Sequence, residues 1–517
     1  MSKKLNDLDW HKGKDGYIFN DSDNASKIKE LLGGTGCGFC LAKFKQVTLH
    51  LGTGMTHSCH HPAPHKIPLD ELADNPAALF NTQHLKHARK QMLNNERPSE
   101  CDYCWRVEDE GGTSDRTYKS LESWALPDHD RIAALRGDED IYPSYLEVSF
   151  SNVCNMKCTY CGPEYSSKWV EELKKDGPVK LLDGTKHEQW SHGYQDLDSL
   201  NIKNRDYNPY VEAFWKWFPQ ALPHLRHYRI TGGEPLMSKE TFKSMDWLID
   251  NPNTELEFSI NSNFSVPDKL WDKFIEKLEV LKDGKVKKIT IYTSIEGWGE
   301  RAEYARTGLK FELLRQRYEQ ILQMGNVRCV IMAAYNIFSV TSMQQMLEWL
   351  HEMKIKYNPN DSAVKWENDT GFQIQPDSNS FQDRQAINPN HHSVVGVDIP
   401  YLRHPSFLDA QIATDELVSE FMLPTMNFMA KHNTFNQWNS HQGFEDFEIE
   451  KFKRIVMHRM YYNREGKQTP EVEIQRAKFY EFVNTMDKRR NTDFLSVFPE
   501  MADFYTECEA CYKRVFP

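Results

Sequence analysis

Apolar and polar residues alternate over short runs in the middle of the chain, and each run is followed by a longer stretch with helical periodicity. These runs predict strands at Leu146–Phe150, His227–Thr231, Leu256–Ile260, Lys288–Thr293 and Arg328–Ala333. A sixth strand is expected near Phe372–Gln375 or Val394–Val397. The intervening stretches predict helices at Tyr165–Lys174, Lys239–Asp250, Asp268–Leu281, Phe311–Met324 and Val340–Met353. Strands that alternate with helices in this way form a parallel sheet covered by helices, so we expect an α/β protein.

The repeated βα units predict a partial (β/α)6 barrel of the TIM type over residues 143–400, with functional groups on the loops that follow the strands. An insertion at about 176–223 interrupts the repeat, and its aromatic run Phe214–Phe218 is interpreted as packing. The polar segment Asn358–Asn390 is expected to be a loop or lid. Around the barrel we expect a small cysteine-rich α+β domain at 1–112, a linker at 113–142, and a mostly helical region at 401–517 with helices at Phe444–Tyr461 and Val472–Arg489.

The composition narrows the possible partners. The 517 residues carry a net charge of −12, and the isoelectric point is near 5.9. This balance gives no basic footprint for a phosphate backbone, so nucleic acid is not expected as a partner. The first ten residues are polar, and no window approaches the roughly 18 consecutive apolar residues of a membrane span. We therefore expect a cytoplasmic protein without membrane association.

The cysteines are clustered along the chain. There are 11 of them, an odd number, so complete disulfide pairing is impossible. In a reducing compartment, closely spaced cysteines are typical of metal or cluster ligands. Three groups hold Cys37, Cys40, Cys59, Cys101 and Cys104, then Cys154, Cys158 and Cys161, then Cys508 and Cys511. Cys329 stands alone in an apolar run and is expected to be a buried small hydrophobic residue.

The middle group has the spacing CxxxCxxC and follows directly on the first predicted strand. Three thiolates are too few to close a tetrahedral metal site. A [4Fe–4S] cluster takes four ligands, so three cysteines leave one iron open to an exchangeable ligand. The spacing therefore predicts a cluster that takes part in chemistry.

A glycine-rich motif, Arg229-Ile-Thr-Gly-Gly-Glu-Pro235, includes the end of the second predicted strand and continues beyond it. Two glycines allow the backbone to approach a ligand closely, and Glu234 with the neighbouring carbonyls can accept hydrogen bonds from an ammonium group. By itself the motif would be interpreted as a turn. Its position one strand after the cysteine triad indicates a ligand site instead.

Together the two motifs resemble those of the radical S-adenosylmethionine (SAM) enzymes, whose signature is CxxxCxΦC with an aromatic Φ, here Tyr160, followed by Gly-Gly-Glu-Pro. The resemblance covers residues 143 to about 400. It implies that Cys154, Cys158 and Cys161 hold a [4Fe–4S] cluster that binds SAM. In this family, SAM is cleaved reductively to a 5′-deoxyadenosyl radical, which abstracts a substrate hydrogen.

The resemblance also implies SAM-binding residues on the loops after the strands. Gly232, Gly233 and Glu234 would hold the SAM amine, Arg306 its carboxylate, and Asn336 the ribose. Phe264 stands where the family often has a glycine, which separates this loop from the family pattern. Each match outside the two main motifs is equally compatible with loop stabilisation. The full set implied is Tyr160, Gly232, Gly233, Glu234, Pro235, Asn263, Ser294, Arg306 and Asn336.

The N-terminal cysteines resemble the auxiliary-cluster elements of twitch or SPASM domains, and Cys40, Cys59, Cys101 and Cys104 would complete a second [4Fe–4S] site. In the family this domain usually follows the barrel, so its position here is a departure. Zinc is the alternative, because two CxxC pairs can bind it tetrahedrally. Other possible ligands are His57, His60, His61 and His65, although solvated loop positions are the favoured interpretation for them. Cys37 could replace Cys40, and Cys508 with Cys511 could join Cys37 at a metal or be spare thiols on a helix.

These observations lead to one main hypothesis for function. The chain would be a radical SAM enzyme with an auxiliary [4Fe–4S] cluster as electron relay, acting on a peptide, a protein or a small molecule. Its partners would be SAM, that substrate, and a reductant such as flavodoxin or ferredoxin. The alternatives are a nucleic-acid-modifying enzyme of the same family and a zinc-stabilised binding protein with a degenerate barrel. No residue is singled out as a catalytic acid or base.

Overall fold

The computed structural model describes residues 22–181, 190, 197, 200–203, 206–358, 393–433, 442–462 and 470–516. The polar N-terminal residues, most of the predicted loop or lid at 358–390, the alternative strand at 372–375 and part of the predicted insertion lie outside these ranges. The fold below concerns the described residues alone.

One sheet of nine strands forms the centre of the described structure, in the order β11-β10-β8-β7-β6-β4-β1-β2-β3. A separate two-stranded sheet pairs β5 with β9. The strands are β1 Gln46–His50, β2 Met55–His57, β3 His65–Lys66, β4 Tyr145–Ser149, β5 Lys157–Cys158, β6 His227–Thr231, β7 Asn253–Ser262, β8 Val286–Ser294, β9 Arg306–Thr307, β10 Val327–Met332 and β11 Val395–Asp398.

Six strands of the central sheet are parallel neighbours in the order predicted from the βα pattern, from β4 to β11. Burial explains the alternation of apolar and polar residues in these strands. Leu146 and Val148 are fully buried, while Glu147 between them points to the opposite face of the sheet. This confirms the five predicted strands, the choice of Val394–Val397 for the sixth, and the α/β class. The pairing leaves β11 and β3 as edges, and it does not establish closure into a partial barrel.

The N-terminal strands extend this same sheet. Strand β1 pairs in parallel with β4, with Val47 opposite Leu146, and β2 and β3 follow as an antiparallel ribbon. The residues predicted to be a linker carry helices and buried side chains, including Trp124. The helices of this part are α1 Ser22–Thr35, α2 Leu41–Lys45, α3 Leu69–Asp74, α4 Gln83–Leu93, α5 Asp102–Asp109, α6 Asp115–Leu121 and α7 His129–Ala133. The N-terminal part therefore shares one sheet and one hydrophobic core with the central strands.

The helices between the central strands lie close to the predicted positions. Two of them, Lys239–Asp250 and Asp268–Leu281, have the predicted bounds. The aromatic run Phe214–Phe218 lies on a helix, where Phe214, Trp217 and Phe218 are buried, so its interpretation as packing is confirmed. The helices are α8 Ser167–Asp176, α9 Pro209–Ala221, α10 Lys239–Asp250, α11 Asp268–Leu281, α12 Gly299–Ala305, α13 Phe311–Gln323 and α14 Met343–Tyr357.

The C-terminal part is helical, as predicted. The buried Glu448 connects it to helix α14, through an ion pair with the Lys354 ammonium at 2.9 Å, and to the sheet, by accepting the Val397 N–H at 2.8 Å. None of the helices described has the length and apolar character needed to cross a membrane. The helices are α15 Asp415–Leu417, α16 Leu423–Lys431, α17 Asp446–Tyr462, α18 Pro470–Arg490, α19 Phe494–Val497 and α20 Ala502–Val515.

Candidate functional site

The cysteine loop, residues 151–161, follows the end of β4 and is fixed by hydrogen bonds at each of its cysteines. The Cys154 N–H donates to the Ser167 hydroxyl at 3.1 Å. The carbonyls of Cys158 and Cys161 accept from the indole N–H groups of Trp169 at 2.9 Å and Trp190 at 2.7 Å. Three side chains outside the loop therefore hold its backbone in one conformation.

The three thiols of this loop share one environment. Cys154 and Cys158 are buried, and Cys161 is half-buried. Burial, and then the nearby Cys158, raise the pKa of Cys154 to about 12. Burial, followed by Cys158 and Cys154, also raises the pKa of Cys161. The thiols are therefore close enough to oppose one another's ionisation, and a bound cation would favour the thiolates.

The glycines of the second motif lie against the cysteine loop. The N–H of Gly233 donates to the Ser151 carbonyl at 3.2 Å, and the N–H of Glu234 donates to the Val153 carbonyl at 2.7 Å. A Cβ on Gly233 would lie 2.4 Å from that Val153 oxygen. Gly232 has a φ of +128°, where its Cβ would lie 2.8 Å from the Ser149 hydroxyl. The absence of side chains at both positions thus allows the backbone of the cysteine loop to come close.

This close approach makes Gly233 sensitive to substitution. We expect Gly233→Ala to lower the free energy of unfolding by about 1–3 kcal/mol, the usual range for overpacking, because the added carbon must displace backbone atoms. Urea denaturation followed by circular dichroism measures this. The matched control is Gly34→Ala on helix α1, where a Cβ meets nothing within 4 Å and a helical alanine stabilises by about 1 kcal/mol. Equal stability of the two variants would contradict the close approach.

The Glu234 carboxylate also organises the loops. One oxygen accepts the Leu236 N–H at 3.0 Å, and the other accepts the Asn263 N–H at 2.7 Å. Burial raises the pKa of Glu234 to about 7. The Asn263 amide in turn donates to the Asn155 side chain at 2.8 Å, inside the cysteine loop. The predicted SAM-binding residues Glu234 and Asn263 are therefore brought together with the cysteines, and their side chains make protein contacts there.

Pro235 and Phe264 complete these two loops. Pro235 is buried and begins a short 3-10 turn, Pro235–Met237. Phe264, the departure from the family pattern, has a φ of +57° and is fully buried, with its ring centroid 5.0 Å from that of Trp271. Phe264 therefore adopts the left-handed backbone conformation that a glycine favours, and its ring packs in the hydrophobic core.

Arg306 lies beside the cysteine loop in a contact that the sequence did not predict. It is opposite Cys158 in the β5–β9 pair, and its Nη1 is 3.6 Å from the Cys158 Sγ. Its Nε and Nη2 atoms donate to the two Glu296 oxygens at 2.7 and 2.5 Å. The Tyr160 hydroxyl donates to Glu296 at 2.5 Å. Burial alone would lower the pKa of Arg306, but the Glu296 carboxylate outweighs it and raises the pKa.

This arrangement differs from the expectation that Arg306 pairs with a SAM carboxylate. Two of the three guanidinium nitrogens, Nε and Nη2, donate to Glu296, and the third, Nη1, faces the Cys158 sulfur. Tyr160 reaches the same carboxylate, so these three residues form one network on the cysteine loop. The sequence contains no signal for this network, because it depends on the loop conformations that bring Tyr160, Glu296 and Arg306 together.

Ser294 and Asn336 lie at the ends of neighbouring strands. Ser294 is the last residue of β8 and is half-buried. Asn336 is fully buried and caps the turn Ile337–Ser339, where its side chain accepts the Phe338 N–H at 3.0 Å and donates to the Ala334 carbonyl at 2.7 Å. A contact between Asn336 and a ribose therefore remains a prediction, and the turn already uses both ends of this amide.

The four N-terminal cysteines of the predicted set converge on one pocket, here called the four-cysteine pocket. Burial comes first among the causes that raise the pKa of Cys40 to about 12, followed by Cys59 and Cys101. Burial also raises the pKa of Cys104, as does Cys59. The lining residues are Cys40, Ala42, Lys43, Ser58, Cys59, His60, His61, Pro62, Cys101, Cys104, Trp105, Asp115, Arg116 and Lys119.

Cationic side chains border the four-cysteine pocket. Lys43 is buried and forms an ion pair with Glu100. Burial would lower the pKa of Lys43, but Cys101 and then Glu100 outweigh it and raise the pKa. The buried Arg116 donates to the Phe39 carbonyl at 2.7 Å. Cations beside four thiols favour the thiolate forms that metals bind. Neither Lys43 nor Arg116 could be predicted as a neighbour of the cysteines, because nothing local in the sequence connects them.

The other cysteines lie apart from this pocket. Cys37 is exposed, and its thiol donates to the Asn95 carbonyl at 3.1 Å, so Cys40 is the one that lines the pocket. Cys508 and Cys511 are buried on α20, and Cys511 contacts Glu507 at 3.5 Å and Arg514 at 3.3 Å. The spare-thiol interpretation agrees with these contacts. Cys329 is fully buried in β10, as predicted.

A second space, here called the polar cavity, has a volume of about 300 Å3. Its lining residues are His50, His60, Glu147, Ser149, Tyr165, Arg229, Thr231, Gly232 and Asn261. Gly232 belongs to the motif that contacts the cysteine loop, and His60 also lines the four-cysteine pocket. The polar cavity therefore adjoins both the four-cysteine pocket and the motif that contacts the cysteine loop.

The histidines beside the cavity form a short hydrogen-bonded chain. Nδ1 of His57 lies 2.6 Å from the Cys59 carbonyl, which can only accept, so that nitrogen carries the proton. Burial lowers the pKa of His57. Neutral His57 then accepts through Nε2 from the His50 Nε2–H at 3.1 Å. His57 is buried, so the expected solvated position is wrong for it, whereas His60 is exposed.

Comparison with known proteins leaves the family of the chain open. No family model matches the sequence, and no curated protein matches it. Among solved structures, SuiB from Streptococcus suis matches with 13% identity and a TM-score of 0.26, over 62% of this chain and 61% of that one. The match thus spans less than two thirds of SuiB, and a TM-score this low carries no argument about fold or function.

Proposed function

We propose that the chain is a radical SAM enzyme that holds SAM at a [4Fe–4S] cluster on Cys154, Cys158 and Cys161, with a second [4Fe–4S] cluster in the four-cysteine pocket. The observation that carries the proposal is the contact between the two motifs. Residues far apart in the sequence, Gly233 and Val153, are joined by a backbone approach that tolerates no side chain. A turn with only a structural role would not require this contact with a loop of three cysteines.

The residues at the first site suit the cluster. Three thiols lie together in a buried loop, and the Arg306 guanidinium, 3.6 Å from Cys158, favours the thiolate form of that residue. SAM bound at such a cluster supplies, on reduction, a radical that abstracts a hydrogen atom from the substrate. The protein's own part is positioning, since Glu296 fixes Arg306 and Tyr160, and Glu234 fixes the loops after β6 and β7.

We favour a cluster over a single zinc ion in the four-cysteine pocket, because the sequence spacing between the cysteines is long for the usual zinc modules. In a [4Fe–4S] cluster each of the four thiolates would bind a different iron. With four thiolate ligands, such a cluster fits an electron relay and not a substrate-binding site.

Metal analysis and SAM cleavage test the proposal. Protein prepared anaerobically is expected to carry about eight iron atoms per chain, four for each cluster, and to release 5′-deoxyadenosine from SAM under a strong reductant. Zinc with little iron would favour the zinc-stabilised binding protein instead. Full iron content without any 5′-deoxyadenosine would also refute the proposed activity.

A further inference from the structure

The lining of the polar cavity suggests a ligand of its own. All of its lining residues except Gly232 carry a polar or charged side chain. Space inside a sheet protein is usually filled by apolar groups, so polar side chains around a cavity indicate a bound molecule. The volume of about 300 Å3 lies at the lower end of the range of ligand sites, which suits a small molecule.

Two opposite charges face this cavity. Glu147 on β4 and Arg229 on β6 are register partners, so their side chains project from the same face of neighbouring strands about 4.8 Å apart. The Arg229 Nε donates to the Asn261 side chain at 3.0 Å, and its guanidinium stacks 4.5 Å from the Tyr292 ring centroid. The Glu147 carboxylate accepts the Thr231 hydroxyl at 3.3 Å. Burial would lower the pKa of Arg229, but Tyr145 and then Glu147 outweigh it and raise the pKa, so the two opposite charges of the cavity act on each other. Arg229 also makes a hydrogen bond to the Tyr145 hydroxyl.

Glu147 and Arg229 are the acidic and the basic side chain of the cavity lining. The other side chains of the lining are histidines, hydroxyl groups and an amide. Because the His50 Nε2–H is donated to His57, its Nδ1 remains a hydrogen-bond acceptor. A ligand with two negative charges, such as a phosphate, would have to lie near Glu147.

We propose that the polar cavity binds a free amino acid, whose carboxylate pairs with Arg229 and whose ammonium group pairs with Glu147. An Arg–carboxylate pair gives two parallel hydrogen bonds, and a second charged contact fixes the orientation of the molecule. The ligand lies next to Gly232, beside the loop that contacts the cysteine triad. If the proposed function holds, this amino acid is the substrate. The substrate class is then narrowed from peptides, proteins and small molecules to free amino acids.

Binding measurements test this without any turnover. Each of the twenty free L-amino acids is titrated by calorimetry into the anaerobically purified protein, without reductant. We expect saturable binding of at least one of them. The N-acetyl and carboxamide forms of that amino acid, each lacking one charge, should bind about 100-fold more weakly, because Glu147 or Arg229, both half-buried, would be left without its charged partner in the complex. Arg229→Gln should have a similar effect, and Arg226→Gln, an exposed arginine on the preceding loop, should have none.

Three outcomes would overturn the inference: no binding of any free amino acid, equal binding of the N-acetyl or carboxamide form, or displacement of the amino acid by saturating SAM. The last would assign the cavity to the amino-acid end of SAM itself. The comparison of ligand forms uses the unchanged protein, so it stands even where a variant fails to fold. A protein that binds the amino acid but releases no 5′-deoxyadenosine would refute the proposed function and leave this inference intact.

Discussion

Replacing Cys154, Cys158 and Cys161 together by alanine is expected to remove about four of about eight iron atoms and to abolish the release of 5′-deoxyadenosine. The remaining iron should stay in the four-cysteine pocket, because its lining shares no residue with the triad. Iron quantification and Mössbauer spectroscopy measure the loss, and chromatography measures the nucleoside. This is the largest effect we predict on activity.

The matched control for that variant is Cys508→Ala with Cys511→Ala, two buried thiols on α20 that contact neither cysteine group in the described structure. It should keep its full iron content. Loss of all iron from the triple variant would mean that the two sites do not fill independently. Retention of all iron would mean that the triad binds none.

Glu296→Gln is expected to have the largest effect on stability. The Glu296 and Arg306 side chains are only 2% and 8% exposed, and the Tyr160 hydroxyl shares the same carboxylate. Neutralising one partner of a buried pair leaves the other charge uncompensated, which costs about 3–5 kcal/mol. Urea denaturation with linear extrapolation gives the free energy of unfolding.

The control for Glu296→Gln is Asp102→Asn, which breaks the exposed pair with Arg106 on α5. Exposed pairs of this kind contribute about 0–1 kcal/mol, so little change is expected. If both variants lose the same small amount, the Glu296 network does not stabilise the cysteine loop. In addition, the larger loss should be accompanied by lower iron occupancy at the triad, because Arg306 also faces Cys158.

The sequence predicted the central strands well because each is defined locally. The buried run around Ile260 and the helix at Asp268–Leu281 follow from periodicity within a few residues. Strand β1 was missed although Gln46–His50 is as long as β4, because it lies outside the repeated βα units from which the other strands were predicted. The segment predicted to be a linker carries short helices and buried residues such as Trp124, and its sequence has no clear period that would indicate them.

The features of the candidate site also fall into local ones, which the sequence shows, and non-local ones, which depend on the fold. The triad and the glycine motif are visible in the sequence because the residues of each motif lie within a few positions of each other. The pairing of Arg306 with Glu296 and the facing of Glu147 and Arg229 could not, because they depend on loop conformation and strand register. The family resemblance implied a SAM carboxylate as the partner of Arg306, whereas its partner in the structure is Glu296. Residue types in a motif therefore indicate the chemistry of a site better than they indicate individual contacts.

The pairing of β1 with β4 has a consequence for how the protein is made. Strand β1 leaves the ribosome about a hundred residues before β4, so during that interval its edge has no partner on that side. Closing so long a loop is slow compared with forming a helix. Cys40 through Cys104 are synthesised before the strand that completes their sheet. If the four-cysteine pocket holds a cluster as proposed, we expect its loading to follow the synthesis of β4, because β1 gains its parallel partner only then.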